Sequence, residues 1–148
     1  MRISTKGRYG LIALLDLAIH SNVEHVALNN IATRQNISLR YLEQMFTALR
    51  NAGIIKSIKG SQGGYLLTEP PSKITVGAVL RALEGDLSVI DPATAVKESS
   101  RTVEYCIQIN VWDRLNGCIN ALVDSITLDN LLTEYKKLKS DLSSMFYI

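Results

Sequence analysis

Residues 38–68 constrain the fold more than any other stretch of the chain. They read SLRYLEQMFTALRNAGIIKSIKGSQGGYLLT. Apolar residues recur every three or four positions from Leu39 to Leu49, which predicts an amphipathic helix with Ser38 as its N-cap and Gly53 as its end. Two β-rich runs, 54–58 and 65–68, then flank a glycine-rich segment, as in a β-hairpin. This stretch therefore predicts a helix that leads directly into a glycine-tipped hairpin.

Helices are predicted on both sides of this stretch. Before it we expect a first helix capped by Ser4 or Thr5 and a short helix at 29–35. After it we expect a helix from Thr75 to about Glu84, an irregular loop, and a long amphipathic helix over about 103–124. Thr127 caps a short last helix, and an apolar tail begins near residue 140. The apolar stripe of the long helix consists of Ile107, Val111, Leu115, Cys118, Ile119 and Leu122.

Charge is distributed unevenly between the two halves of the chain. Residues 1–75 hold nine Lys and Arg against four Asp and Glu, whereas residues 76–148 hold seven against ten. A basic first half suggests a polyanionic partner. No apolar run reaches the ~18 residues of a membrane span, and no signal peptide is evident. With two cysteines in 148 residues, these features predict a cytoplasmic protein with free thiols.

The first five elements are typical of a winged helix-turn-helix, in which the second helix of the motif enters the DNA major groove. Side chains away from the apolar stripe of that helix can hydrogen-bond to base edges. Basic residues of the hairpin and of the amino terminus suit phosphates or the minor groove. The predicted DNA-binding residues are Arg2, Thr5, Lys6, Arg8, Ser38, Arg40, Tyr41, Glu43, Gln44, Lys56, Lys59 and Gly60.

Three segments carry a resemblance to a known family. STKGRYG, residues 37–67 and ITVGAVLRALEG are similar to the winged-helix regulators typified by IscR (iron–sulfur homeostasis), NsrR (nitric oxide sensing) and CymR (cysteine metabolism). The resemblance implies a mostly α fold with a small β-hairpin wing. It divides the chain into a winged helix-turn-helix head at 1–84, a loop at 85–102, and a part at 103–148 that holds the dimerisation helix, the short last helix and the tail. It also implies a homodimer on a palindromic operator.

Cluster-binding relatives of this type carry three cysteines before the long helix. Cys106 matches the third, whereas Ser100 and the vicinity of Asp91 stand at the other two positions, and Ile109 replaces a histidine. If Cys106 and Cys118 share one helix they lie about 18 Å apart, too far to share a cluster or a disulfide. We therefore expect no metal and no cofactor. Cys118 is expected to be buried, and Cys106 is a candidate redox sensor.

The last four residues, Met145, Phe146, Tyr147 and Ile148, are apolar. CymR-type repressors end in a similar tail, and their co-regulator is cysteine synthase (O-acetylserine sulfhydrylase). The resemblance implies that this tail enters the active site of that enzyme, where a carboxylate and an apolar side chain can be held. O-acetylserine would compete for the same pocket. In the alternative, the tail packs on the dimer.

Two functional hypotheses follow from the resemblance. The first is a dimeric DNA-binding repressor of cysteine and sulfur metabolism genes that acts with cysteine synthase. The second is an IscR-like regulator of iron–sulfur cluster biogenesis genes. An enzyme is disfavoured because the chain has no paired carboxylates, no nucleophile–base pair and no phosphate-binding loop. A protein-interaction module with a vestigial winged helix is disfavoured by the basic residues Arg40 and Lys59.

Overall fold

The computed structural model describes residues 1–21, 24–96 and 101–146. Its α-helices and two strands follow the predicted order closely. They are α1 (Thr5–His20), α2 (Leu28–Gln35), α3 (Leu39–Asn51), β1 (Ile55–Ile58), β2 (Gly64–Leu67), α4 (Val76–Glu84), α5 (Val103–Ile107), α6 (Asp113–Ser125) and α7 (Leu128–Phe146). Short 3₁₀ helices lie at Pro71–Lys73 and Pro92–Thr94. The fold is therefore mostly α with a small β-hairpin wing, as predicted.

The first three helices pack around one apolar core. Leu14, Leu17, Ile31, Leu42, Met45, Phe46 and Leu49 are completely buried in it. Four of these lie on α3 and recur at the predicted three- and four-residue spacing. The core therefore fixes which face of α3 points inward and which face points to solvent. Leu39 was predicted on the buried stripe, but it is exposed.

The hairpin is a regular antiparallel pair. Ile55 lies opposite Leu67 and Ile58 opposite Gly64. Val26 adds a single bridge on the far side of β2, where its N–H and C=O exchange hydrogen bonds with Tyr65 at 3.0 and 2.9 Å. The ring of Tyr65 meets that of Phe46 edge to face, with centroids 5.0 Å apart. The wing is thus attached to α3 through the aromatic ring at its base.

The predicted long helix is present and continuous from Val103 to Ser125. Within it, Gln108–Trp112 form a π-helical turn between α5 and α6, in which the Asp113 N–H donates to the carbonyl of Gln108. Such a turn inserts an extra residue and rotates the faces on either side of it relative to each other. α6 packs against α4, where Arg81 pairs with Asp124 through two hydrogen bonds of 2.7 and 3.0 Å.

The prediction of a short last helix is wrong, because α7 spans 19 residues. Residues 140–146 continue this helix and do not form a separate tail. Its first residue, Leu128, is completely buried in the core of the head. The Leu128 N–H donates to Ile74 at 2.9 Å, and the Val76 N–H donates to Ile126 at 2.8 Å. The start of α7 therefore shares its core with the head.

None of the described helices is both long enough and apolar enough to span a membrane.

Candidate nucleic-acid interface

α3 is the second helix of the predicted helix-turn-helix and is called the recognition helix below. It presents a polar face to solvent. The Ser38 hydroxyl accepts a hydrogen bond from the Tyr41 N–H at 3.1 Å and caps the helix. Because the core holds the opposite face, predicted base-reading side chains remain free to contact DNA. Arg40, Glu43 and Gln44 are exposed, as is Ser38, whereas Tyr41 is half-buried. Arginine, glutamine and glutamate can each recognise a base edge in the major groove.

A buried carboxylate fixes the helix-turn-helix against α1. Asp16 is only 1% exposed, yet it accepts three hydrogen bonds from Arg34, at 2.7 and 3.2 Å to one oxygen and 3.1 Å to the other, and one from Gln35 at 2.7 Å. Burial alone would raise the pKa of Asp16, but the hydrogen bonds from Arg34 and Gln35 outweigh it and hold the pKa below the usual value. Since Arg34 and Gln35 close α2, this cluster determines how α2 and the following turn sit on α1.

The turn between α2 and α3 takes its shape from Asn36. This residue adopts a left-handed conformation, with φ 54°, and its N–H donates to Ala32. Asparagine tolerates this conformation better than most residues. The turn joins α2 to α3, and the residues Ser38 and Leu39 at the start of α3 are exposed.

The wing places its basic residues in solvent beside this helix. Lys56 lies on β1, Lys59 follows it, and Gly60 forms the tip, and all three are exposed. Gly60 has φ 125°, a conformation suited to glycine, and its carbonyl accepts the Gly63 N–H at 3.1 Å. A turn of this kind lets the backbone approach a phosphate or a groove closely. The wing and the amino-terminal end of α3 line one cleft, which contains Glu43 and Gly60.

The amino terminus reaches the recognition helix through an aromatic contact that the sequence did not reveal. The Arg8 guanidinium lies over the ring of Tyr9, 5.8 Å from its centroid. The Tyr9 ring in turn meets Tyr41 of α3 edge to face, with centroids 6.4 Å apart. Arg8 is therefore placed on the same side as the exposed face of α3. Arg2 and Thr5 are exposed and Lys6 is half-buried.

Glu84 occupies the start of α1. One of its oxygens accepts hydrogen bonds from the Ser4 N–H at 2.8 Å, the Ser4 hydroxyl at 2.5 Å and the Gly7 N–H at 3.0 Å. Backbone N–H groups at the start of a helix favour phosphate, but here this carboxylate already accepts from them. Any phosphate contact near the start of α1 therefore depends on side chains such as Arg2 and Arg8.

The remaining predicted residues lie away from this surface. Cys106 is exposed on α5, and Asn110 donates to its carbonyl at 2.8 Å. Cys118 was predicted to be buried, but it is exposed, because none of the described elements covers it. Met145 is exposed on the last turn of α7. The side chain of Phe146, and residues Tyr147 and Ile148 altogether, lie outside the described part of the chain.

Among the described residues, no group of three or more His, Cys, Asp and Glu side chains could hold a metal ion. Two of the positions compared with cluster ligands are described. Asp91 caps the 3₁₀ helix that follows it, where its side chain accepts the Ala93 N–H at 2.9 Å. Ile109 is exposed within the π-helical turn. The position of Ser100 lies outside the described residues.

Comparison with known proteins agrees with this geometry. In sequence, the chain is 39% identical over 131 residues to the transcriptional regulator CymR of Bacillus subtilis, which covers 88% of this chain and 89% of that protein. It is 42% identical over 132 residues to IscR of Serratia proteamaculans, which covers 89% and 79%. Both relatives are named as helix-turn-helix transcriptional regulators.

Solved structures give the same result. The structure of CymR, the global cysteine regulator of B. subtilis, matches with a TM-score of 0.76 and 38% identity and covers 90% of this chain and 98% of that one. The structure of T. potens IscR matches with a TM-score of 0.72 and 38% identity and covers 93% and 90%. A family model, Rrf2, described as an iron-dependent transcriptional regulator, matches residues 3–134. The chain therefore belongs to the Rrf2 family of DNA-binding transcriptional regulators.

Proposed function

We propose that the protein is a homodimeric repressor that binds a palindromic DNA operator. The observation that carries this proposal is the exposed polar face of α3 beside a basic wing. α3 enters the major groove, where Arg40, Glu43 and Gln44 contact base edges. Lys56 and Lys59 of the wing contact phosphates or the adjacent minor groove. The polar face reads the sequence, and the basic groups supply most of the salt-dependent affinity.

Dimerisation is supported by apolar side chains that a single chain leaves in water. Val103, Ile107, Val111, Leu115 and Leu122 on the long helix are all exposed. Apolar residues at this spacing on one helix mark an interaction surface. A second copy of the helix would cover them and would carry a second head. Two heads related by a twofold axis match the two half-sites of a palindrome, one or more helical turns apart.

The proposed target is the set of genes for cysteine and sulfur metabolism. The likeness to CymR, named as a global cysteine regulator, supports this. So does the sequence up to the start of the long helix, in which Cys106 is the one match to the three cysteines that we associate with cluster-binding relatives. The co-regulator in this proposal is cysteine synthase, which binds the apolar residues Met145–Ile148. Because α7 continues through Phe146, its last turn would have to unwind before the peptide could enter a pocket.

A second candidate function is regulation of iron–sulfur cluster biogenesis genes. It is favoured by the identity to IscR of S. proteamaculans, which at 42% slightly exceeds the 39% to B. subtilis CymR. The two candidates share the DNA-binding mechanism and differ in the genes and the signal. Iron and acid-labile sulfide in protein purified without oxygen would favour the second candidate.

The test is affinity capture of fragments of the source genome by the purified full-length protein, followed by sequencing. The same preparation is examined by light scattering for its mass. We expect a dimer and enrichment of a palindrome upstream of cysteine and sulfur genes. Enrichment upstream of iron–sulfur genes would transfer the proposal to the second candidate. A monomer, or capture without sequence preference, would refute the shared mechanism.

Calorimetry tests the co-regulator separately. We expect saturable binding of cysteine synthase to the full-length protein, and loss of that binding when O-acetylserine is added. Deleting Ile148 should abolish the interaction and leave operator affinity intact. Absence of binding would remove cysteine synthase from the proposal, whereas loss of both activities on deletion would indicate that the tail serves packing.

A further inference from the structure

One leucine on the recognition helix fits the apolar repeat of the helix but is not buried in the core. Leu39 is the first residue of α3 and fits the apolar repeat that continues through Leu42, Met45 and Leu49. Those three are completely buried, whereas Leu39 is 38% exposed. A single exposed leucine is common on protein surfaces. What distinguishes Leu39 is that it stands among the polar side chains proposed to contact bases.

Leu39 lines a cleft of about 410 Å³ between the start of α3 and the wing. The cleft also contains Glu43 and Ile58, and Ile58 is itself 37% exposed. Gly60 and Ser61 at the tip of the wing close the other side. At the amino-terminal end of α3, the cleft thus combines two exposed apolar side chains with one carboxylate.

Leu39 and Glu43 are directed to the same side because they lie four residues apart on a helix. The Glu43 carboxylate makes no hydrogen bond or ion pair with another described residue; only its backbone carbonyl is engaged, by Thr47 at 2.7 Å. A free carboxylate in the major groove can accept a hydrogen bond from the amino group of cytosine. The leucine beside it must then meet the edge of a neighbouring base pair.

Thymine alone among the four bases carries a methyl group on its major-groove edge, at C5, and this is the largest apolar group there. We propose that Leu39 determines specificity by packing against the methyl group of a thymine next to the base that Glu43 contacts. This inference rests on the proposed function, because it places α3 in the major groove. Ile58 limits the other side of the cleft and excludes water from the contact.

The test uses the operator recovered by genomic capture. Each thymine is replaced singly by deoxyuridine, which removes the methyl group and keeps base pairing. We expect one pair of symmetry-related thymines, one in each half-site, at which the replacement weakens binding about fourfold, the value of one buried methyl group. At the other thymines the dissociation constant should change little.

Variants then assign the methyl contact to Leu39. Leu39→Ala should bind the thymine and deoxyuridine operators equally, whereas Leu39→Met, which keeps an apolar contact, should still prefer thymine. Lys59→Ala is the matched control, because a residue that contacts phosphate or the minor groove does not meet the methyl group. This variant should bind both operators more weakly and keep the fourfold difference.

Each outcome decides one question. If the wild-type protein binds no duplex specifically, the proposed function fails and the methyl contact fails with it. If the protein binds its operator but no thymine replacement matters, the Leu39 inference alone is refuted. It is also refuted if Leu39→Ala keeps the full preference for thymine. Should Leu39→Ala fail to fold, as judged by circular dichroism, Leu39→Gln takes its place: this polar side chain of similar length should lose the preference for thymine, and a preference that persists refutes the inference.

Discussion

Replacing Asp16 by asparagine removes one buried charge and leaves the side-chain volume almost unchanged. In the structure Arg34 donates to both oxygens of Asp16, and the Gln35 amide donates to Oδ2. The asparagine oxygen can still accept from Arg34, and the Gln35 amide can turn so that its oxygen accepts from the asparagine NH₂ group. The Arg34 guanidinium only donates, so its hydrogen bond to the second position is lost, together with the ion pair.

The size of the effect follows from how deeply each partner is buried. Breaking an ion pair that is buried on both sides costs about 3–5 kcal/mol. Asp16 is 1% exposed, but the Arg34 side chain is 33% exposed and can regain part of its hydration. We therefore expect Asp16→Asn to lower the free energy of unfolding at pH 7 by about 2–3 kcal/mol, below the fully buried range. Urea unfolding followed by circular dichroism at one fixed protein concentration measures this loss.

The same variant should also change the response to acid. The pKa of Asp16 in the folded chain lies below its unfolded value of about 3.9. Its contribution to stability is therefore complete above that pH and disappears as the pH falls through the folded pKa. The stability difference between wild type and Asp16→Asn should shrink in that acidic range.

The control is Asp141→Asn, which changes an exposed carboxylate near the end of α7 and should shift stability by no more than about 0.5 kcal/mol. The reasoning is wrong if Asp16→Asn proves as mild as this control at pH 7. It is also wrong if the difference between Asp16→Asn and wild type persists unchanged in acid.

Three further predictions concern the wing, α4 and DNA affinity. Gly64→Ala should destabilise the fold by about 1–3 kcal/mol in urea unfolding, because the new Cβ would meet the backbone carbonyl of Val26; an unchanged midpoint would contradict this. Thr75→Ala should cost about 1 kcal/mol in the same assay, since the Thr75 hydroxyl accepts the Ala78 N–H at 3.0 Å and caps α4; no loss would show the cap to be dispensable. Lys56→Ala should weaken specific and nonspecific binding by similar factors and reduce the slope of log affinity against log salt by about 0.9; an unchanged slope would remove Lys56 from the phosphate contacts.

Local signals in the sequence predicted the head well. Ser38, Thr75 and Gly53 mark helix ends through interactions with near neighbours, and the structure places all three there. The hairpin followed from its glycines in the same way. Features that depend on distant parts of the chain were not predictable. Glu84 caps α1 from 80 residues away in sequence, and no short pattern encodes that pairing.

The errors in the second half have two different physical causes. Residues 128–146 contain no glycine or proline, so nothing stops α7 where we expected the tail to begin. Cys118 belongs to an apolar stripe, and periodicity identifies such a stripe without showing what covers it. In the described part of the chain Cys118 is left exposed. The exposure of Leu39 has a similar origin, because its proposed partner is DNA and is absent from the sequence.

The buried position of Leu128 limits how this protein can be recombined in evolution. Many regulators exchange a DNA-binding cassette between different sensory domains at a linker. Here an exchange after residue 84 would discard Leu128 and the two backbone hydrogen bonds that join 126–128 to 74–76. The transplanted head would keep the residues proposed to contact DNA and would lose part of its hydrophobic core. New specificities in this chain should therefore arise by point substitution on α3 and the wing rather than by shuffling of modules.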